Sequence, residues 1–496
     1  MILMERFDNY IKSANLSPKA HQREAVEWCV KHETTKFPLL ETRGGIIADE
    51  MGLGKTVVMM GLIVTNFLKK TLIVLPVALI DQWRREIART MNHDPLVFHG
   101  EQKRESGLNG LKNAPIVLTT YGHIIPSAKS DINILHEIEW DRIIFDEAHH
   151  LRNMNTQIHI GASSLKSSLR WLITGTPIQN SRNDFYSLCA AMGMKSSYYS
   201  DEKQLKTIVK NFILKRTKKD VGIELPSLYD EKVVVPWESE SEKQLAQDIH
   251  SRLSFSGVSP SQGDNFIAGL ELNVLQLLVK ARQTCIYPKL LEKHVDKFMK
   301  DGVESQSKFL KGTKNSSKLN AVVNKIIERK TFGKKLIFCH YRGEIDTLSE
   351  MLIEKKFSVA TFDGRTTSSR RDEILTGNND ILILQIQTGC EGLNLQTYNE
   401  VYFVSPHWNP SIEDQAVARC HRIGQKQDVF VWRFVMEGFD KEETTQTLDN
   451  YSSTVQELKR EERKIIDSDS ENEEPIKSKK LKLKKKLRLK IISNNM

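Results

Sequence analysis

The chain has 496 residues, 39% of them hydrophobic and 27% charged, an ordinary balance for a globular protein and too long for one core, so two to four domains are expected. No apolar run reaches the roughly 18 to 20 residues that span a bilayer, the start "MILMERFDNYIK" lacks a cleavable signal pattern, and the six scattered cysteines (29, 189, 285, 339, 390, 420) form no C-x-x-C pair. This argues against a membrane protein, a zinc module or a disulfide framework, and for a reducing compartment.

In chain order, the first informative stretch is "GGIIADEMGLGKTVVMMG" (44–61). Ile46-Ile47-Ala48 would end a strand, and "TVVMMGLIVTNFLKK" has helical length and composition. Short apolar runs follow at "TLIVLP" (71–76), "PIVLTT" (115–120), "RIIFDE" (142–147) and "WLITGT" (171–176). A Ser/Lys-rich, helix-prone region covers about 195–315. A second series comprises "KKLIFC" (334–339), "SVATFDG" (358–364), "DILILQ" (380–385), "EVYFVS" (400–405) and "DVFVWRFV" (428–435). Such runs, spaced by helix-length segments, predict buried parallel strands in an α/β fold. The expected division is an N-terminal lobe at 1–200, a helical insertion and linker at 201–315, a C-terminal lobe at 316–460 and a tail at 461–496. In the tail, "DSDSENEE" with five acids precedes 477–490, which holds eight lysines, one arginine and no acid. That basic run equals the whole formal charge of +9. An acidic block beside a basic one, poor in aromatics, reads as a disordered tail, serving as a DNA contact or a nuclear import signal.

Three constellations carry chemistry. The general phosphate-loop pattern is G-x-x-x-x-G-K-[ST], but Asp49 stands where its first glycine belongs and Glu50 follows. A glycine-bearing turn between strand and helix aims backbone N–H groups at an anion. Gly52 and Gly54 allow close approach, Lys55 can reach the β- and γ-phosphates, and Thr56 can ligate Mg²⁺. The plainer alternative is a glycine turn ahead of a core helix. Second, a strand ending in Asp146-Glu147 presents carboxylates at the edge where phosphates sit in such folds. Asp146 would hold Mg²⁺ and Glu147 would orient and deprotonate the attacking water, although a solvated strand end looks the same. Third, "QAVARCHRIGQ" (415–425) puts Arg419 and Arg422 three apart on one helical face. Arginines brought from a second lobe would neutralise γ-phosphate charge in the transition state, placing the active site in a cleft. The plainer alternative is a basic helix surface.

In this order, "IIADEMGLGKT", "FDEAHHLRN", "RWLITGTPIQNSRNDFYSL" and "QAVARCHRIGQ" resemble the motifs of the Swi/Snf-type ATPases of helicase superfamily two, over about residues 16–440. The resemblance implies two RecA-like parallel-sheet lobes with a helical insertion between them and a disordered basic C-terminal tail. It implies ATP and Mg²⁺ as cofactors and double-stranded DNA as partner, with a nucleosome or RNA polymerase complex among the allowed targets and neither membrane nor zinc. The nucleotide-binding set would be Gln22, facing the adenine, with Asp49, Glu50, Met51, Gly52, Leu53, Gly54, Lys55 and Thr56. Asp146, Glu147, Ala148 and His149 form the DEAH box. Thr174, Gly175, Thr176 and Gln415 would couple hydrolysis to lobe movement. "TTYG" (119–122) resembles a DNA-facing loop, and "LLVKARQTCIYPKLL" (277–291) resembles a family segment with Tyr287 in place of its usual histidine. The implied activity is that of an ATP-dependent double-stranded DNA translocase acting on protein-bound DNA, in the nucleus or at a viral replication site. An ATPase acting on RNA or a transcription complex, or a non-catalytic DNA-binding scaffold, are the alternatives.

Overall fold

The computed structural model describes residues 2–35, 43–100, 102–126, 133–175, 182–253, 274–294, 310–389, 393–440 and 445–468. The apolar runs become strands of two parallel sheets, one in each of two compact units, Met1–Glu224 and Leu225–Met496. The basic run at 477–490 lies outside the described residues.

The first unit contains β1 (Arg43–Ile47), β2 (Thr71–Leu75), β3 (Leu96–Phe98), β4 (Ile116–Thr120), β5 (Glu139–Trp140), β6 (Arg142–Phe145), β7 (Lys166–Ser167), β8 (Leu169–Ile173) and β9 (Ile213–Leu214). Seven of them form one sheet in the order β3-β4-β2-β6-β8-β1-β9, while β5 and β7 pair separately. Every residue of β2, β4, β6 and β8 is buried. That explains why these strands read as continuous apolar runs: helices cover both faces of a parallel sheet. Alternate residues feed two cores. Leu72, Val74, Ile143, Phe145 and Leu172 enter one, and Ile73, Leu75, Ile144, Trp171 and Ile173 enter the other.

A buried ion pair ties the lower end of this sheet together. The Glu33 carboxylate accepts from Arg142 Nε at 2.6 Å and Nη2 at 2.5 Å, from Asn66 Nδ2 at 2.7 Å and from Trp171 Nε1 at 2.8 Å. Four donors onto one carboxylate are what a buried charge needs to be tolerated.

The second unit contains β10 (Leu228–Val235), β11 (Lys335–Cys339), β12 (Val359–Phe362), β13 (Ile381–Gln385), β14 (Glu400–Phe403) and β15 (Val429–Met436). Their order is β10-β15-β14-β11-β13-β12, with parallel pairing throughout. The structure thus shows the expected α/β class with two parallel sheets. Two strands fall where helix was expected, the short β9 and the longer β10. β10 lies in the helix-prone region 195–315 because it is an edge strand, bonded only to β15, and most of its residues are exposed. Its sequence "LYDEKVVV" therefore lacks the apolar run that marks the inner strands. The helices Glu240–His250 and Val274–Ile286 do occupy that region. Residues 201–224 pack with the first unit and the chain from Leu225 with the second. Cys29, Cys189, Cys285, Cys339 and Cys420 are buried free thiols; Cys390 lies outside the described residues.

Candidate nucleotide site

Strand order brings the motifs of the first unit together. β6, β8 and β1 are neighbours in the sheet, so the segments leaving their C-terminal ends share one edge. These are 146–147, 174–175 and 48–54. Register keeps them level: Ile47 pairs with Ile173 and Phe145 with Leu172, and Thr174 N–H donates to Ile47 O at 3.0 Å. The C-terminal edge is where open parallel sheets bind ligands.

The phosphate loop is held from three sides. Gly54 stands in the left-handed region at φ 85° and begins the helix Lys55–Thr65, which no side chain caps. Its first N–H groups are thus left for an anion. Leu53 O takes hydrogen bonds from His21 Nε2 at 3.1 Å and Gln22 Nε2 at 3.0 Å. Gln22, expected at the adenine, is here turned onto the loop. A Cβ at position 54 would meet Gln22 Nε2 at 2.3 Å and its residue would have to adopt the strained left-handed φ, so glycine is favoured there. Lys55 Nζ lies over the loop, donating to Asp49 O at 2.8 Å.

The two carboxylates that broke the general pattern turn away from the loop's interior. Asp49 is buried and receives Arg216 Nε at 3.2 Å and Nη2 at 2.6 Å. Glu50 receives Lys218 N–H at 2.8 Å and pairs with Lys218 Nζ at 3.0 Å. Both are neutralised by cations just past β9. Met51 packs on Gly175, where a Cβ would approach its Cε to 2.7 Å. Thr174 is fully buried; Thr176 lies outside the described residues.

At the end of β6, Asp146 accepts from Trp83 Nε1 at 2.8 Å and from Glu147 N–H at 2.9 Å. Burial, then the neighbouring Glu147, raises its pKa above the usual carboxylate range, against the Trp83 and Glu147 N–H donors and the Lys55 cation. Strand order sets the phosphate loop and the acidic turn at the same edge of the sheet. Glu147 has φ 49°, a conformation that non-glycine residues adopt at a cost of order 1–3 kcal/mol and that clusters at functional sites. Its carboxylate lies 3.2 Å from His149 Nδ1. Ala148 is buried, and the His149 and His150 rings stack at 4.7 Å. Burial, followed by the neighbouring His149, lowers the His150 pKa to about 4, which keeps it neutral at pH 7. In "TTYG", Tyr121 is buried and donates its hydroxyl to Asp146 O at 2.6 Å, while Gly122 is exposed.

In the second unit, Arg419 and Arg422 do not share a helical face. The helix Pro410–Val417 ends before them, with Ala418 as its C-cap. They sit in a turn closed by Arg422 N–H to Cys420 O at 3.1 Å and Gln425 N–H to Arg422 O at 3.0 Å, with Gly424 at φ 103°. Gln425 Nε2 staples that turn to Gln396 O and Tyr398 O, both at 3.0 Å. An i, i+3 spacing cannot tell helix from turn, and the Ile423-Gly424 pair after Arg422 was the available signal. Burial, then Arg419, lowers the Arg422 pKa. Arg422 Nε and Gln415 Nε2 are buried with no hydrogen-bond partner among the described residues.

Sequence reasoning missed Arg216, Lys218, and the parts played by Trp83 and Tyr121. The first two had a faint signal, the cationic run "KRTKKD" after a short apolar strand. Trp83 lies in the helix Ile80–Met91, where nothing in the sequence marks a partner for its ring nitrogen.

An uncapped glycine loop beside a strand-end carboxylate pair, on a parallel sheet, fits the class of nucleoside-triphosphate hydrolases. Residues 21–290 match the SNF2-related domain, and residues 317–424 match the helicase conserved C-terminal domain. The chain belongs to the SNF2-related family, and its helicase-like ATPase domains mark an ATP-hydrolysing enzyme. It is 26% identical to the DNA repair protein RAD5B of Arabidopsis thaliana, an alignment covering 82% of this chain and 44% of that one. It is 27% identical to a probable global transactivator of Orgyia pseudotsugata multicapsid polyhedrosis virus, covering 84% of this chain and 86% of that one. A solved Sulfolobus solfataricus SWI2/SNF2 ATPase core in complex with dsDNA is 25% identical, with TM-score 0.40, covering 90% of this chain and 95% of that one. The chain thus spans less than half of the plant relative and most of the viral one. Among the described residues, no helix is long and apolar enough to cross a membrane.

Proposed function

We propose that the chain is an ATP-dependent double-stranded DNA translocase that acts on protein-bound DNA, in chromatin, repair or transcription, within the nucleus or at a viral replication site. The observation that carries this reading is the meeting of the 48–54 loop, the Asp146-Glu147 turn and Thr174-Gly175 at one sheet edge. The similarity to RAD5B, a DNA repair protein, supports the choice of DNA.

In this reading the ATP phosphates lie against the loop N–H groups of residues 51–56, and Lys55 leaves Asp49 O to meet the β- and γ-phosphates. Gln22 and His21 keep the loop in shape. Thr56 and Asp146 would hold Mg²⁺, which suits an oxygen donor set and would supply charge neutralisation at the phosphates. Glu147 accepts a proton from the water whose oxygen attacks the γ-phosphorus, and ADP leaves. Arg419 and Arg422 contribute positive charge to the transition state. Thr174, Gly175, Thr176 and Gln415 couple turnover to movement of the lobes along the DNA.

Steady-state ATPase assays with duplex DNA, single-stranded DNA and RNA in parallel test the proposal, together with ATP-driven displacement of a triplex-forming third strand. Stimulation by duplex DNA and third-strand release are expected. Stimulation confined to RNA would replace the reading with that of an RNA-acting ATPase, and no turnover with any polymer would leave a binding scaffold.

A further inference from the structure

The loop carboxylate that replaces glycine poses a physical problem. A charged Asp49 beside a triphosphate repels it, and a carboxylate as buried as this one is costly without a partner. Arg216 answers both. Its guanidinium grips Asp49 with two nitrogens, at 3.2 and 2.6 Å, and its third nitrogen donates to His21 O at 2.7 Å. His21 in turn bonds Leu53 O at the far end of the loop. One side chain thereby holds the beginning of the loop and, through the helix Ala20–Thr34, its end.

The backbone around Arg216 is part of the same arrangement. Ala48 N–H donates to Leu214 O at 2.7 Å and Glu50 N–H to Arg216 O at 2.8 Å. These bonds extend the parallel pairing of β1 with β9 beyond both strands. Lys218 then secures Glu50 through its own N–H and its ammonium. Six residues later the first unit ends, at Glu224. The loop and the chain's exit from the first unit are therefore one hydrogen-bonded body.

We propose that Arg216 is a positioning residue for the phosphate loop: through Asp49 it neutralises and shapes the loop for a nucleoside triphosphate without touching the nucleotide. This rests on the ATPase reading above. The bidentate geometry is specific to a guanidinium, because a lysine supplies the charge at a single point.

The test is ATP hydrolysis and equilibrium binding of a fluorescent ATP analogue in the full chain, for wild type, Arg216→Ala, Arg216→Lys, Asp49→Asn and the Arg216→Ala/Asp49→Asn double variant. Arg216→Ala is expected to raise the KM for ATP at least about tenfold while kcat at saturating ATP stays within about threefold, and Arg216→Lys to raise KM by about threefold. The double variant should recover most of the lost affinity, since it removes the stranded carboxylate charge. A purely structural arginine would lower the melting temperature without this split of KM from kcat and without the rescue. An unchanged KM in both arginine variants, or a double variant no better than Arg216→Ala, overturns the proposal. Should Arg216→Ala fail to fold, Arg216→Lys decides by the same criterion. A wild type that neither binds nor hydrolyses ATP overturns the ATPase reading along with the inference, whereas an active wild type with insensitive variants overturns the inference alone.

Discussion

At the sheet edge of the first unit, the polar groups around the loop are tied down: Asp49 by Arg216, Glu50 by Lys218, Asp146 by Trp83, and Leu53 O by His21 and Gln22. In the second unit, Arg422 Nε in the turn after Val417 and Gln415 Nε2 in the helix before it are buried with no hydrogen-bond partner among the described residues. A preorganised loop binds without reorganising, which suits ground-state recognition. Buried unsatisfied donors cost stability and persist where something else compensates, such as charge that develops only during a reaction. Under the proposed function, the loop of the first unit would serve binding and the arginine turn of the second would serve turnover.

The sharpest way to break that contrast is at Lys55. Lys55→Ala should reduce phosphate release to background because the phosphates lose their cation, while Glu147→Gln should keep nucleotide affinity and stop turnover. Near-normal turnover in Glu147→Gln would remove Glu147 as the base. Next in size is the arginine turn. Arg422→Ala should cost about 10³ to 10⁵ in DNA-stimulated kcat, the usual worth of a transition-state arginine, with ATP affinity little altered. A raised KM at unchanged kcat would instead make Arg422 a binding group and erase the contrast.

A third prediction separates stability from site. Glu33 and Arg142 sit at the N-terminal end of β6, opposite the acidic turn, and both side chains are fully buried. Glu33→Gln strands the Arg142 charge and should lower unfolding free energy by about 3–5 kcal/mol, read by chemical denaturation, without shifting the KM for ATP. A loss below about 1 kcal/mol would mean that the pair is relieved elsewhere.

The smallest expected effect is a pH shift. Asp146 must be ionised to serve a cation, and its pKa is raised by burial and Glu147 and lowered by the Trp83 N–H. Removing that donor in Trp83→Phe disfavours the anion and raises the pKa further. The acid limb of the kcat/KM profile should then move to higher pH by about one unit, the worth of a hydrogen bond to a charged group. A limb that stays, or moves to lower pH, would show that Asp146 does not govern it.

Much of this was legible in the residues. The inner strands announce themselves as apolar runs because both faces of a parallel sheet are covered, and the glycines and Lys55 mark the loop by their spacing. β10 was hidden because an exposed edge strand has no such run. The arginine pair was found but placed on a helix, since spacing does not reveal where the helix stops.

Local sequence therefore determined which segments form strands, which turn carries the phosphate-loop residues, and which strand ends in two acids, because periodicity and steric preference act over a few residues. Only the tertiary structure decided that β8 lies between β1 and β6, so that residues 49, 146 and 174 share one edge. It alone decided that Asp49 is answered by a cation 167 positions away, and that Trp83 and Tyr121 serve Asp146 rather than a plain core. Those pairings follow from how helices and strands pack, and a carboxylate in a sequence does not say which distant donor will meet it once water is excluded.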